Sequence, residues 1–163
     1  RLVDRMGITR SCTHRHRNRT RLVLSITVQA QAVIDDLLSV TEKERLEVLV
    51  EYADALPELP TRYAEHPDLL ERVEECQSPV YLFVEVTAGL VGIFVTAPKE
   101  APTTRSFASI LHRSLNGKTV EEVLNFDDDF PERLGITKLV SPLRMRGIRG
   151  MLARIKRQVK EKI

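Results

Sequence analysis

Two apolar runs joined by a short turn set the strongest limit on how this chain can fold. Along Val80–Val86 the residues alternate with the period of two that marks a half-buried strand. Thr87-Ala88-Gly89 then offers a tight turn, and Leu90–Thr96 is a second apolar run. The two runs are therefore predicted to pair as an antiparallel β-hairpin.

Helical patterns precede this hairpin. Val33–Leu38 carries a first apolar stripe, and Thr41–Glu44 reads as a capping box that opens a second helix. We expect the second helix to end before Pro57 and to bury one face. The residues predicted for that face are Leu46, Leu49, Val50 and Ala53. Leu69–Glu74 is predicted as a strand or an irregular segment.

Helical patterns also follow the hairpin. After a loop at Pro98–Pro102, an apolar stripe within Phe107–Leu115 predicts a helix that stops at Asn116-Gly117. Thr119–Glu122 is a second capping box, and Ser141-Pro142 is a good start for a last helix. This order of elements predicts an α+β fold, with a small antiparallel sheet and helices packed on it.

Length and composition exclude several classes of protein. The 163 residues suit one domain, and no apolar stretch approaches the roughly 20 residues that a membrane span needs. Two cysteines, Cys12 and Cys76, are too few for a disulfide framework or for the four thiolates of a structural metal site. We expect no metal and no membrane partner.

The basic charge is concentrated at the N-terminus. Arg1–Leu24 holds seven arginines against one acid, Asp4, so that the remaining residues carry a net negative charge although the whole chain is at +2. With almost no apolar periodicity, residues 1–24 are predicted to be a disordered Arg-rich tail. The tail is interpreted as a targeting segment, a nucleic-acid-binding arm or a stretch not native to the domain, which we place at residues 25–163.

Cys76 is the main candidate for chemistry. It lies in the polar segment Glu74–Pro79 immediately before a predicted strand, so we expect a partly exposed thiol on a loop. The thiolate is the reactive form of cysteine, and the two neighbouring glutamates disfavour it. A cation has to compensate, and the candidates are Arg105, Arg144 and Arg146.

Three motifs occur in a specific order along the chain. Cys76–Tyr81 reads Cys-Gln-Ser-Pro-Val-Tyr and is similar to a Gly-Cys-Gln-Ser-x-Val-Trp motif, although Glu75 stands in place of the glycine. Asn116–Asp127 and Leu134–Gly147 resemble a second and a third motif of the same family. From Val33 to the C-terminus the chain thus resembles the SufE-type sulfur acceptors, also called cysteine desulfuration proteins.

The resemblance implies a fold, a reaction and partners. The fold would be iron–sulfur scaffold-like, with a curved antiparallel sheet and the cysteine on a loop at its tip. Cys76 would accept sulfane sulfur as a persulfide from a pyridoxal-phosphate cysteine desulfurase of the SufS type, stimulate that enzyme, and pass the sulfur to a scaffold complex for iron–sulfur cluster assembly. Arg144 falls on the family's arginine near the cysteine, which implies support of the thiolate.

Further expectations concern the chain's surroundings. The implied reaction needs no cofactor on this chain, which would act as a monomer or homodimer. Because an oxidising compartment would cap the free thiol, we expect a reducing one, the cytoplasm.

Two other functions compete with this interpretation. A cysteine hydrolase would need Cys76 beside an oriented histidine, either His66 or His112. A nucleic-acid-binding module would use the basic tail and the cations of the last helix, although that helix lacks aromatic residues to stack on bases. Those cations are Arg149, Arg154, Lys156, Arg157, Lys160 and Lys162. We therefore favour sulfur transfer, without a nucleic-acid partner.

Overall fold

A computed structural model describes residues 24–163, which form six α-helices, three β-strands and two 3-10 helices. The α-helices are α1 (Val28–Leu38), α2 (Glu42–Asp54), α3 (Thr61–Ala64), α4 (Pro102–Leu115), α5 (Val120–Leu124) and α6 (Pro142–Glu161). The strands are β1 (Glu71–Arg72), β2 (Tyr81–Thr87) and β3 (Leu90–Thr96), and the 3-10 helices are Pro67–Leu69 and Phe130–Leu134. The predicted α+β class is confirmed.

The predicted hairpin forms most of the sheet. β2 and β3 pair antiparallel, with Phe83 opposite Phe94. The turn residues Ala88 and Gly89 have φ values of 52° and 77°. Two successive positive φ values are typical of a type I′ turn, whose twist suits a hairpin. β1 pairs antiparallel with the other side of β2, which gives the strand order β1-β2-β3.

Helices α4 and α6 pack against the sheet. The strand residues that point into the core are Leu82, Val84, Val91, Ile93 and Val95. α4 contacts β3, α6 contacts β2, and α1 and α2 pack against α4. Near the end of α6, Gln158 accepts a hydrogen bond from the backbone N–H of Val84 at 2.8 Å and donates one to Glu71 at 3.0 Å. The last helix is thereby bonded to both β2 and β1.

Local signals begin the helices where the sequence predicted them. Thr41 and Glu44 form the capping box that precedes α2, and Thr119 begins α5 in the same way. Ser141 caps α6, with Pro142 as the first helical residue. These predictions hold because a cap depends on residues within one turn of each other.

The first helix is longer than its apolar stripe. α1 begins at Val28, where the Thr27 hydroxyl accepts a hydrogen bond from the backbone N–H of Ala30 at 3.1 Å. The same hydroxyl donates to the carbonyl of Ser114, the next-to-last residue of α4, at 2.8 Å. This cap therefore also ties α1 to α4.

The predicted buried face of α2 is wrong for two of its four residues. Leu46 and Val50 are 42% and 46% exposed. The buried residues are Leu49, Tyr52 and Ala53, because α2 turns this side toward α4. The apolar pattern fits either stripe, and the position of α4 selects the one that is buried.

The folded part includes the chain from Ser25 onward. Ser25 exchanges backbone hydrogen bonds with Asn125 and Asp127, each at 2.9 Å. Except for Leu24, the predicted Arg-rich tail and its Cys12 lie outside the described residues. Among residues 24–163, no helix has the length and apolar character needed to cross a bilayer.

Candidate functional site

Cys76 lies in the loop between β1 and β2, as predicted. The ends of this loop are joined by a hydrogen bond from the N–H of Val73 to the carbonyl of Val80 at 2.9 Å. The N–H of Cys76 donates to the carbonyl of Val73 at 3.1 Å. The thiol is therefore placed by a compact turn that is anchored on the sheet.

The expected exposure of Cys76 is wrong. Its side chain is buried, with 6% of the residue accessible, whereas its neighbours Glu75 and Gln77 are exposed. In a tight turn, successive side chains point in different directions, so the polarity of the neighbours reports their own environment. Cys76 is instead part of the hydrophobic core.

Two glycines of α6 make room for the cysteine loop. A Cβ atom at Gly147 would lie 2.9 Å from the Sγ of Cys76, and a Cβ at Gly150 would lie 2.7 Å from the Cδ of Glu75. Such distances are too short for ordinary contacts. The loop therefore packs directly on the helix backbone, which only residues without a side chain permit.

This role of the two glycines was not predicted from the sequence. A glycine inside a helix costs about 1 kcal/mol relative to alanine, so two of them three residues apart in a predicted helix are a signal of close packing. The two glycines do not indicate which segment packs against them, because the cysteine loop is distant in the sequence.

A surface cavity of about 260 Å³ borders the thiol. Cys76, Gln77 and Ser78 form one wall, and residues from the starts of α4 and α6 form the others. The residues from these two helix starts include Glu100, Pro102, Thr104, Phe107, Leu143 and Arg144. A small group or the tip of a partner's loop can thus approach the thiol from the solvent side.

Arg144 is the one predicted cation that lines this cavity. It is exposed in the first turn of α6, where its backbone N–H donates to the Ser141 hydroxyl. Arg105 lies elsewhere: its guanidinium donates to the carbonyls of Ala53 at 3.0 Å and Ala97 at 2.6 Å. The sequence therefore identified an arginine that shares a cavity with Cys76, together with one that has a structural role.

The environment of the thiol disfavours its ionised form. Burial, and then the negative charge of Glu75, raise the pKa of Cys76 to about 11, while Arg154 acts in the opposite direction. The sequence predicted Arg105, Arg144 or Arg146 for this role and did not indicate Arg154. At pH 7 a thiol with this pKa is ionised in roughly one molecule in 10,000, so the closed loop holds an unreactive thiol.

The hydrolase alternative lacks its geometry in this structure. His112 lies in α4, where burial lowers its pKa, and it lines a different cavity with Asn116. His66 is exposed beside the Pro67–Leu69 helix. Neither histidine lines the cavity of Cys76. Within residues 24–163, no three Cys, His, Asp or Glu side chains are grouped as metal ligands would be.

Of the cations that the nucleic-acid alternative placed on the last helix, most make contacts within the domain, whereas those of the tail lie outside the described residues. Arg149 pairs with Asp129 and Glu132, Arg154 with Glu71 and Glu75, Lys156 with Asp128, and Arg157 with Glu71 and Glu161. The Lys162 ammonium donates to the carbonyl of Val84. Charges neutralised within the domain are poor partners for a phosphate backbone.

Comparison with known proteins finds relatives that are all named SufE-like. An uncharacterized SufE-like protein of Mycobacterium tuberculosis is 42% identical over 138 residues, which cover 84% of this chain and 95% of that protein. SufE-like protein 1, chloroplastic/mitochondrial, of Arabidopsis thaliana is 29% identical over 125 residues, 75% of this chain and 32% of that protein.

The fold also matches a solved structure. The solution structure of a hypothetical protein from Thermus thermophilus superposes with a TM-score of 0.74 at 32% sequence identity, covering 84% of this chain and 97% of that one. The profile described as SufE, Fe-S metabolism associated domain, matches residues 31–159. On this match and these relatives, the chain belongs to the SufE family, and membership implies a role in iron–sulfur metabolism.

Proposed function

We propose that the chain accepts sulfane sulfur on Cys76 from the persulfide of a pyridoxal-phosphate cysteine desulfurase. The observation that carries the proposal is the free thiol of Cys76, the one cysteine within residues 24–163, at the wall of a surface cavity. Family membership supports the same role, because it associates the domain with iron–sulfur metabolism.

The reaction is an exchange between sulfur atoms. The Cys76 thiolate attacks the outer sulfur of the desulfurase persulfide, and a new S–S bond forms as the S–S bond of the persulfide breaks. The desulfurase thiolate leaves and takes up a proton, so no external oxidant or reductant is consumed. Cys76 then carries the persulfide, and the desulfurase is free for another turnover, which is how the chain would stimulate it.

The closed loop is the resting state in this proposal. A thiol buried on Gly147 with a pKa of about 11 is protected from oxidants but cannot attack, so the loop has to move toward the cavity for transfer. Once the thiol is exposed, burial no longer raises its pKa, and the exposed cation Arg144 at the cavity wall supports the thiolate.

The cavity has room for the sulfur atom that Cys76 would accept. Its volume of about 260 Å³ far exceeds the roughly 30 Å³ share of one water molecule in the liquid, so one more sulfur atom fits beside Cys76. The persulfide would then pass to a scaffold complex for cluster assembly. A reducing compartment such as the cytoplasm would keep the thiol free between cycles.

The test compares Cys76→Ser with Cys12→Ser as a matched control. Each protein is incubated with a cysteine desulfurase and cysteine, without reductant, and the added mass is mapped by peptide mass spectrometry. We expect one extra sulfur atom on Cys76 in the parent and in Cys12→Ser, and none in Cys76→Ser, which also no longer stimulates the desulfurase. Sulfur uptake by a folded Cys76→Ser protein would refute the mechanism.

A further inference from the structure

Glu75, the residue before Cys76, is held by a two-point ion pair. Its carboxylate accepts hydrogen bonds from the Nε of Arg154 at 3.0 Å and from the Nη2 at 3.2 Å. Arg154 also lies 3.4 Å from the carboxylate of Glu71 in β1. Its side chain is only 18% exposed, so it is fixed between the cysteine loop and the sheet. A forked contact of this kind is directional as well as strong.

One face of α6 receives both loop residues. Gly147, Gly150 and Arg154 are spaced by three and four positions, which places them on the same side of a helix. Gly147 lies under the Sγ of Cys76, and Gly150 lies under the side chain of Glu75, where a Cβ would be 2.7 to 2.8 Å from three of its atoms. The helix face is therefore shaped for the closed loop and for its ion pair.

The ion pair opposes withdrawal of the cysteine loop from α6. Glu75 and Cys76 are consecutive, so a movement of the loop that lifts Cys76 from Gly147 also pulls on the contact between Glu75 and Arg154. We propose that the Glu75–Arg154 pair is a latch that sets how often Cys76 becomes accessible. Both are positioning residues, and their importance for sulfur transfer rests on the proposed function of Cys76.

A purely electrostatic role of Arg154 and a latch predict opposite changes in the reactivity of Cys76 when Arg154 is removed. In the closed state Arg154 lowers the pKa of the Cys76 thiol, and Glu75 raises it. If the pair acted on the thiol through charge alone, removal of Arg154 would make Cys76 less reactive. If the pair is a latch, the same removal opens the loop and makes Cys76 more reactive. The sign of the change decides between the two.

The experiment measures alkylation of Cys76 by iodoacetamide in the full chain, followed through the Cys76 peptide by mass spectrometry. The variants are Arg154→Ala and Glu75→Gln, which has the size of glutamate without its charge. Arg157→Ala is the matched control, because Arg157 also pairs with Glu71 from α6 but makes no hydrogen bond or ion pair with Glu75. We expect Arg154→Ala and Glu75→Gln to react about two- to five-fold faster than the parent, and Arg157→Ala to match the parent.

Hydrogen exchange separates local opening from loss of the fold. The amide of Cys76, which donates to Val73, should exchange faster in Arg154→Ala, while the amides paired between β2 and β3 remain protected. A slower or unchanged alkylation rate in Arg154→Ala, or equal acceleration in Arg157→Ala, would overturn the latch. No desulfurase is present in this assay, so such a result leaves sulfur acceptance by Cys76 to its own test.

Discussion

Replacing Gly147 with alanine should expose Cys76 without unfolding the protein. The new Cβ would lie 2.9 Å from the Sγ of Cys76, about 0.5 Å inside the shortest ordinary contact of 3.4 Å. The thiol then has to rotate or the loop has to withdraw from α6. Because Gly147 has a helical backbone, alanine is otherwise favoured there.

The two energetic effects of this change act on different equilibria. Alanine stabilises the helix by about 1 kcal/mol relative to glycine. Displacing the buried Cys76 side chain costs about 1–2 kcal/mol of burial, and this cost falls on the closed loop only. We therefore expect the free energy of unfolding to change by less than about 1 kcal/mol, and the exposure of the thiol to rise about 5- to 30-fold.

The assay pairs the alkylation rate of Cys76 with the thermal midpoint of unfolding. Ala153→Gly is the control, because it makes the opposite exchange at an exposed position of α6. It should lower the midpoint and leave the alkylation rate near that of the parent. If Gly147→Ala folds normally and its thiol reacts at the parent rate, then close packing on the glycine does not keep Cys76 closed.

Two further predictions concern charges near the loop. Arg144→Ala should slow the alkylation of Cys76 about two-fold at neutral pH, because loss of the cation raises the pKa of the opened thiol. The thermal midpoint should not change, because Arg144 is exposed. If the alkylation rate of Cys76 has the same pH dependence in the variant and the parent, Arg144 has no role at the site. The hydrogen bonds from Arg154 hold the pKa of Glu75 below its ordinary value of 4.5, so the pair stabilises the fold above that pH and the contribution is lost as the pH falls through the lowered pKa. The thermal midpoint of Glu75→Gln should accordingly lie below that of the parent at pH 6 and converge with it toward pH 3, as measured by thermal unfolding at each pH. A difference between the two midpoints that stays constant with pH would show that the charge of Glu75 does not stabilise the fold.

The sequence predicted those parts of the fold that depend on neighbouring residues. The capping box of Thr41 and Glu44, the Ser141 cap and the turn at Ala88-Gly89 each involve a few consecutive positions, and each is confirmed. The motif around Cys76 also placed the cysteine correctly on a loop. These patterns involve only neighbouring residues, so they can be recognised without knowledge of the tertiary structure.

The parts that the sequence did not predict depend on contacts between distant segments. Leu46 is exposed because the position of α4 selects another side of α2. Cys76 is buried because Gly147 lets its loop reach the helix backbone, and the cation that acts on its thiol is Arg154 because that helix face is shared. The residue types along the chain cannot specify these contacts between distant segments, because each residue alone is compatible with several environments in a fold.

The hydrogen bond between Gln158 and Val84 covers part of one open side of the sheet. β1 pairs with β2 only at Tyr81 and Leu82, so beyond these residues that side of β2 would present unpaired backbone groups. Gln158 accepts from the N–H of Val84, and Lys162 donates to the carbonyl of the same residue. Open strand edges recruit strands of other molecules and lead to aggregation. The C-terminal end of α6 therefore takes the place of a further strand at Val84, so a strand of another molecule cannot pair with β2 at this residue.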